Sequence, residues 1–315
     1  MRHLRTSGPP PARAPPMTRL DAAFAAIVER VIPGATVIGH EALKGGVSAS
    51  VHALEVSSAA GLTRLVVRHG AAKWKALGDD VTQREFGLLA ALHHAGLPVP
   101  RPRLLDVSRL VLPAPFFVMD RVEGTTEISD AFLDSALRQM AGFLAHVHAL
   151  DVEGLRLPVM PRREDPVAGA LAYVPVSEEW ARLRECLSSY RIESARESLV
   201  HGDFWPGNVL WADGRLAAVI DWEDAAIGPA VSDVACCRAE LNALFDASAA
   251  RAFTAYYVDA STDAMRDLAL WDVYVGSAAL ATLHDWGLPA EVEARRRART
   301  SAFVSDATEV LLKAR

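Results

Sequence analysis

The sequence predicts a two-lobed α+β protein: a small lobe of antiparallel strands with a helix, then a larger, mainly helical lobe. Three observations lead there. Residues 36–68 read as strand, glycine turn, strand, turn, strand, a meander with no helix between its strands. From Thr125 onward, apolar residues recur chiefly at helical spacing. Embedded in that helical region, residues 199–221 carry two apolar strand segments with polar side chains gathered in the adjoining loops.

Taken in order, Leu20, Ala23, Phe24, Ile27 and Val28 predict an opening helix over 18–31, ended by Pro33-Gly34. Thr36-Val37-Ile38 is the first strand, Val51 to Val56 the second and Leu62 to Arg68 the third, with Leu65-Val66-Val67 buried. A helix over 81–95 bears Glu85, Leu88, Leu89 and Leu92. Gly96 stops it, and Pro98, Pro100 and Pro102 make an extended connector. Leu104 to Val107 and Pro115 to Met119 are two further strands, closing the small lobe at 18–119. Asp120 to Gly124 is the hinge, and 125–315 the large lobe. Its first helix, 130–149, places Phe132, Leu137, Met140, Phe143, Leu144 and Val147 on one face, and the chain from Ser232 onward is again mainly helical. Residues 1–17 hold proline runs and arginines without an apolar h-region. They read as a disordered leader, or as sequence preceding a start at Met17, rather than as a secretory signal.

Composition narrows the function classes. A chain of 315 residues that is 51% hydrophobic can bury a sizeable core. A net charge of −6 argues against a nucleic-acid partner, which calls for a basic surplus. Cys186, Cys236 and Cys237 are too few for a disulfide framework and lack zinc-ligand spacing, so they read as reduced apolar fillers. No apolar run reaches the roughly 20 residues of a membrane span, so the expectation is a cytoplasmic enzyme without a membrane partner. His93, His94, His146 and His148 read as partly exposed helix residues, and Arg295, Arg296, Arg297 and Arg299 as a solvated helix face. Trp222, Trp271 and Trp286 read as mostly core.

The chemistry concentrates in residues 200–234. Leu199-Val200 runs into a loop with His201, Asp203 and Asn208; Leu216 to Ile220 then delivers Asp221, after a tight Asp213-Gly214 turn that favours a hairpin. Two carboxylates and an amide on neighbouring loops suit phosphoryl transfer from a magnesium nucleotide, which needs a carboxylate to orient a hydroxyl and oxygen ligands for the metal. Asp203, beside small Gly202, is the candidate general base; a surface turn aspartate is the plain alternative. Asn208 suits magnesium or an ordinary turn after Pro206-Gly207. A carboxylate at Asp221, directly after a buried run, is costly unless coordinated or open to a cleft. Glu223 and Asp224 would touch metal-bound water or a cationic acceptor, or form a solvated acidic turn. Trp205 is close enough to line an acceptor pocket. Zinc-protease, nucleophile-elbow and P-loop motifs are all missing.

His201-Gly202-Asp203-Phe204-Trp205-Pro206-Gly207-Asn208, followed by Val219-Ile220-Asp221-Trp222-Glu223-Asp224 and Asp233, resembles the aminoglycoside phosphotransferase family, a branch of the protein-kinase-like superfamily. The resemblance runs from about Leu20 to Ala314. It implies Asp203 as the catalytic aspartate, Asn208 and Asp221 as metal ligands, and Asp233 as a buried carboxylate bracing the catalytic loop. His201 would be structural, its ring bonding backbone near Asp221. Upstream, Gly45, Gly46, Val47 and Ser48 resemble the nucleotide-covering loop; alone, such a turn is more often a plain hairpin. Arg68 stands where kinases place a phosphate-contacting lysine, Glu85 where its helix partner belongs, and Met119 and Asp120 where backbone reads adenine at the hinge.

What the resemblance implies is a kinase-like enzyme using Mg2+ and ATP, with GTP as the alternative donor. It would phosphorylate a hydroxyl of a small molecule. Glu223, Asp224 and Glu240 lean toward an aminoglycoside-like, other aminated or sugar acceptor. The rivals are a nucleotide-binding pseudokinase acting through a partner, and a metal-dependent phosphohydrolase.

Overall fold

The computed structural model describes residues 18–43, 49–70, 80–193, 195–263 and 265–314. The leader over 1–17 and the glycine loop Gly45, Gly46, Val47 and Ser48 lie outside them. Helix α1 (Arg19–Val31) opens on a capping box: Thr18 accepts from the Asp21 N–H, and the Asp21 carboxylate accepts from the Thr18 N–H. It packs through Phe24, Ile27 and Val28 on a five-stranded antiparallel sheet. The strands are β1 (Thr36–Leu43), β2 (Ala49–Ser58), β3 (Gly61–Gly70), β4 (Pro102–Asp106) and β5 (Phe116–Asp120). Their order is β1-β2-β3-β5-β4. Between β3 and β4 runs helix α2 (Asp80–His94).

Alternation along these strands sorts the side chains. Leu54, Val56, Leu65, Val67, Phe116 and Val118 face α1, while Val51, Val66, Arg68 and Met119 face a cleft on the other side. The first strand is longer than its apolar start predicts, because β1 continues past Ile38 through backbone pairing with β2 down to Leu43 and Val51.

The remainder is mainly helical: α3 (Leu133–His148), α4 (Pro166–Tyr173), α5 (Ala181–Ser188), α6 (Val231–Leu244), α7 (Ala247–Ala260), α8 (Leu268–Thr282) and α9 (Ala290–Lys313). The expected two-strand region holds four short strands. β6 (Glu197–Val200) pairs with β9 (Ala226–Pro229), and β7 (Val209–Ala212) forms a hairpin with β8 (Arg215–Val219). Asp213 and Gly214 both take positive φ, 50° and 71°, as the predicted turn requires. The chain enters this region at Thr125, whose N–H and carbonyl exchange hydrogen bonds with Trp211 on β7. One apolar core runs from Leu88 and Leu92 of α2 through α3 to Phe204, Trp222 and Tyr257, joining the two lobes; a second lies among α4, α5, α6, α8 and α9.

Three readings of the sequence are corrected here. His148 is fully buried, its Nδ1 2.7 Å from the Tyr257 hydroxyl, because it sits on the core face of α3, one turn beyond Leu144. Nor are the α9 arginines a purely solvated face. Arg296 is buried and pairs with Glu240 at 2.9 Å, while Arg299 donates to the carbonyls of Ala243 and Leu244 that close α6. Trp222 and Trp271 are core, but Trp286 is exposed with Arg296 over its ring.

Candidate active site

β6 delivers His201 into a loop whose backbone is held by one carboxylate. Asp233, fully buried in the first turn of α6, accepts the His201 N–H at 2.6 Å and the Gly202 N–H at 2.8 Å. Burial alone would raise its pKa; contacts from His148 and these backbone donors outweigh burial and hold it below the usual carboxylate range. Gly202 has φ +86°, and a Cβ there would stand 2.1 Å from the Asp224 carbonyl oxygen, so the close approach of the two loops requires glycine. The His201 ring lies against Trp222 and Phe204. Its Nε2 meets the Ile220 carbonyl at 3.0 Å, and its Nδ1 accepts the Asp203 N–H at 3.3 Å. Both bonds suit the neutral Nε2–H tautomer, in line with burial lowering its pKa.

Asp203 follows, held by Asn208. The Asn208 Nδ2 donates to the Asp203 carbonyl at 2.8 Å and to Asp203 Oδ2 at 3.0 Å, which leaves the amide's Oδ1 as its remaining acceptor. The other carboxylate oxygen, Oδ1, faces the Cys236 thiol at 3.9 Å. Burial, with the negative charges of Asp224, Asp221 and Glu240, pushes the Asp203 carboxyl up to about 7. The turn Pro206–Asn208 keeps Gly207 under the Trp205 ring, 2.2 Å from where a Cβ would be. The Ile220 N–H donates to the Asn208 carbonyl at 2.9 Å, docking the end of β8 on this turn and setting Asp221 beside it. Asp221 takes φ 66°, a conformation that non-glycine residues rarely adopt.

From the opposite wall, Arg68 at the cleft end of β3 meets three carboxylates. Its Nε is 2.9 Å from Glu85 of α2, and its Nη2 is 3.0 Å from Asp221 Oδ1 and 2.5 Å from Glu223. The Asp221 contact is an ion pair without hydrogen-bond alignment, so this buried oxygen has no hydrogen-bond donor. Burial pushes Glu85 up to about 7 against the pull of Arg68. A cavity of about 500 Å³ lies between the walls, bounded by Val66, Arg68, Met119, Trp205, Asn208 and Asp221 among others. Asp120 and Glu85 also border it.

The structure thus brings Asp203, Asn208, Asp221, Arg68, Glu85, Met119, Asp120 and Trp205 to one place, with His201 and Asp233 behind the loop. The two acidic residues after Asp221 part ways. Glu223 pairs with Arg68, whose Nη2 reaches it at 2.5 Å. Asp224 is exposed, its backbone against Gly202. Sequence reasoning missed Cys236, which a helix beginning at Val231 carries to Asp203; no motif flags it.

Among the described residues no group of three His, Cys, Asp or Glu side chains could hold a metal. The oxygens on offer are a pair, the Asn208 amide and the Asp221 carboxylate with its donor-less Oδ1. A hard cation that completes its shell with phosphates and water fits such a pair. No helix among the described residues is long and apolar enough to cross a membrane.

Comparison with known proteins gives the chain its family and its fold. Acyl-CoA dehydrogenase family member 11 of Gallus gallus is 31% identical over 173 residues, 48% of this chain and 22% of that protein. The match therefore spans about a fifth of such curated relatives. A Ralstonia eutropha structure proposed as an aminoglycoside phosphotransferase superposes with a TM-score of 0.67 at 17% identity, over 93% of this chain and 98% of that one. An aminoglycoside phosphotransferase APH(4)-Ia held with ADP and hygromycin B gives a TM-score of 0.60 at 18% identity, covering 89% of this chain and 97% of that one. These structures share the two-lobed protein-kinase-like fold. The model of the APH phosphotransferase enzyme family matches residues 39–271, and the chain belongs to that family.

Proposed function

We propose that the protein transfers the γ-phosphate of ATP to a hydroxyl of a small molecule, with Asp203 as the general base. The observation that carries this reading is the Asn208 bond to Asp203 Oδ2 at 3.0 Å. It fixes the carboxylate and leaves Oδ1 to accept the hydroxyl proton, on the side away from Asn208. The nucleotide would lie in the cavity, with adenine against the Met119–Asp120 backbone and phosphates near Arg68 and under the loop at Gly45–Ser48. Residues 18–119 then act as the nucleotide-covering lobe, 120–124 as the hinge and 125–315 as the lobe carrying the base and the acceptor. Mg2+ held by Asn208 Oδ1 and Asp221 would neutralise charge on the phosphates. Glu85 keeps Arg68 in place, and Asp233 and His201 hold the loop. The ADP complex of a structural relative supports nucleotide use by this fold.

The acceptor panel follows from the same site. An aminated acceptor has Asp224 to meet it, since Glu223 and Glu240 are engaged by Arg68 and Arg296. Sugars and amino alcohols make up the panel. With any phosphorylated member, Asp203→Asn is expected to lower kcat by roughly 10²–10⁴-fold while nucleotide binding changes little. Unchanged turnover would remove Asp203 from the role. Tight ATP binding without turnover across the panel would favour the pseudokinase reading, whose one support is that Arg68 is occupied by three carboxylates.

A further inference from the structure

The loop that carries Asp203 has two sides. Asp203 Oδ1 faces Cys236, which does not border the nucleotide cavity, while Oδ2 is held by Asn208, which does. Trp205, which its spacing from Asp203 suits to an acceptor pocket, stands on the second side. It borders the nucleotide cavity together with Gly207, Asn208, Asp221 and Arg68.

The turn gives the indole its place. Gly207 leaves room for the six-membered ring of Trp205, since a Cβ on that glycine would stand 2.2 Å from Cη2 and 2.4 Å from Cζ2. The indole N–H is uncommitted: no described residue accepts from Trp205 Nε1. Unlike Trp211 Nε1, which is sealed in the core without a partner, it belongs to a half-buried ring on a cavity wall.

Other donors around the cavity are engaged. The Asn208 amide donates twice to Asp203, Arg68 meets three carboxylates, and Arg121 pairs with Glu41 at 3.2 Å. Among the described residues on this wall, Trp205 and the Thr126 hydroxyl are the side-chain donors left without a protein acceptor. Thr126 lies just past the hinge. Trp205 lies two residues from Asp203, so its Cα is within about 7 Å of that of the proposed base.

We infer that Trp205 binds the phosphoryl donor, its indole N–H donating to an oxygen of the terminal phosphate. The inference rests on the phosphotransfer reading, which sets the transferred phosphate beside Asp203. An indole is a donor only, and a hydrogen bond to a charged oxygen is stronger than one to a neutral group. ADP has no oxygen at that position. The contact therefore selects the triphosphate over the diphosphate, which favours release of the nucleotide once its phosphate has left.

The test reads, by calorimetry on the full chain, the Kd of a non-hydrolysable ATP analogue and of ADP, each with Mg2+ and each in EDTA. Trp205→Phe keeps an aromatic face and deletes the N–H. It should weaken the ATP analogue about tenfold or more (about 1.4 kcal/mol) and ADP less than about twofold. Gly207→Ala keeps the indole but pushes its ring off the turn. It should lower the ratio of ATP-analogue to ADP affinity about threefold or more, with and without metal, and it decides alone if the Phe variant does not fold. Equal weakening of both nucleotides, the result a merely structural ring would give, overturns the inference. So does an unchanged ATP-analogue Kd in Trp205→Phe, a Gly207→Ala shift confined to the Mg2+ arm, which would belong to Asn208, or wild-type protein that binds neither nucleotide. The phosphotransfer reading fails separately: wild-type protein with MgATP would then show no Asp203-dependent phosphate transfer or release, whatever Trp205 binds.

Discussion

Asp233 shows how much of the site rests on one buried side chain behind its loop. Its two oxygens accept the backbone N–H groups of His201 and Gly202, and neither donor has water to turn to in this buried place. Asp233→Ala would strand both, each costing about 1–3 kcal/mol, so roughly 2–6 kcal/mol of stability is expected to be lost in urea unfolding. Gly202 is the complementary case. Its φ of +86°, with the Asp224 carbonyl oxygen 2.1 Å from where a methyl group would stand, leaves no room for Gly202→Ala without moving the loop. That variant should lose at least about 2 kcal/mol and most of its turnover, with far-UV CD unchanged. Retained turnover at wild-type stability would mean that the loop tolerates displacement.

At the scale of elements, α1 depends on its cap. Thr18→Ala removes the side-chain acceptor for the Asp21 N–H and should destabilise the protein by about 1 kcal/mol. The Asp21 carboxylate is held down to about 2, first by the Thr18 N–H and then by the Thr18 hydroxyl and His40. A carboxylate depressed in the folded state adds stability that is present above its unfolded pKa, about 4, and lost as pH falls toward about 2. The difference in thermal midpoint between wild type and Asp21→Asn should therefore shrink over that window. A difference that stays constant would show the cap to be independent of charge. The β7–β8 hairpin makes the same point about local chemistry: Asp213-Gly214 adopts the turn its residues favour, and the strands it joins carry Asn208 and Asp221 to one another.

For the whole molecule, the cleft between sheet and helical lobe ties stability to ligand. Arg68 from β3 bridges Glu85 on α2 and Asp221 beyond β8, so the ion pairs cross from one lobe to the other. A nucleotide that binds only the folded form at about 100 times its Kd should stabilise by about 2.7 kcal/mol. With Mg2+ present, Asp221→Asn should remove the metal-dependent part of that gain and keep the metal-free part. Denaturation midpoints measured with nucleotide, with and without Mg2+, read both. Equal metal dependence in the two proteins would take Asp221 out of the metal site.

Much of this was legible in the chain. Strand alternation, the proline and glycine stops, the Asp213-Gly214 turn and the spacing of Asp203, Asn208 and Asp221 are short-range features, and local backbone preference acts on short range. They determined the two-lobed α+β fold and the neighbourhood of Asp203, the proposed base. Partnerships between distant residues were another matter. Glu223 lies 155 positions from Arg68, and His148 lies 85 from Asp233, and charge pattern alone does not choose among oppositely charged candidates. Helix packing made that choice when α3 turned His148 inward, α6 carried Cys236 to Asp203, and α9 brought Arg296 to Glu240. Tertiary structure therefore decided which charges are paired among the described residues, because pairing depends on which faces are buried together.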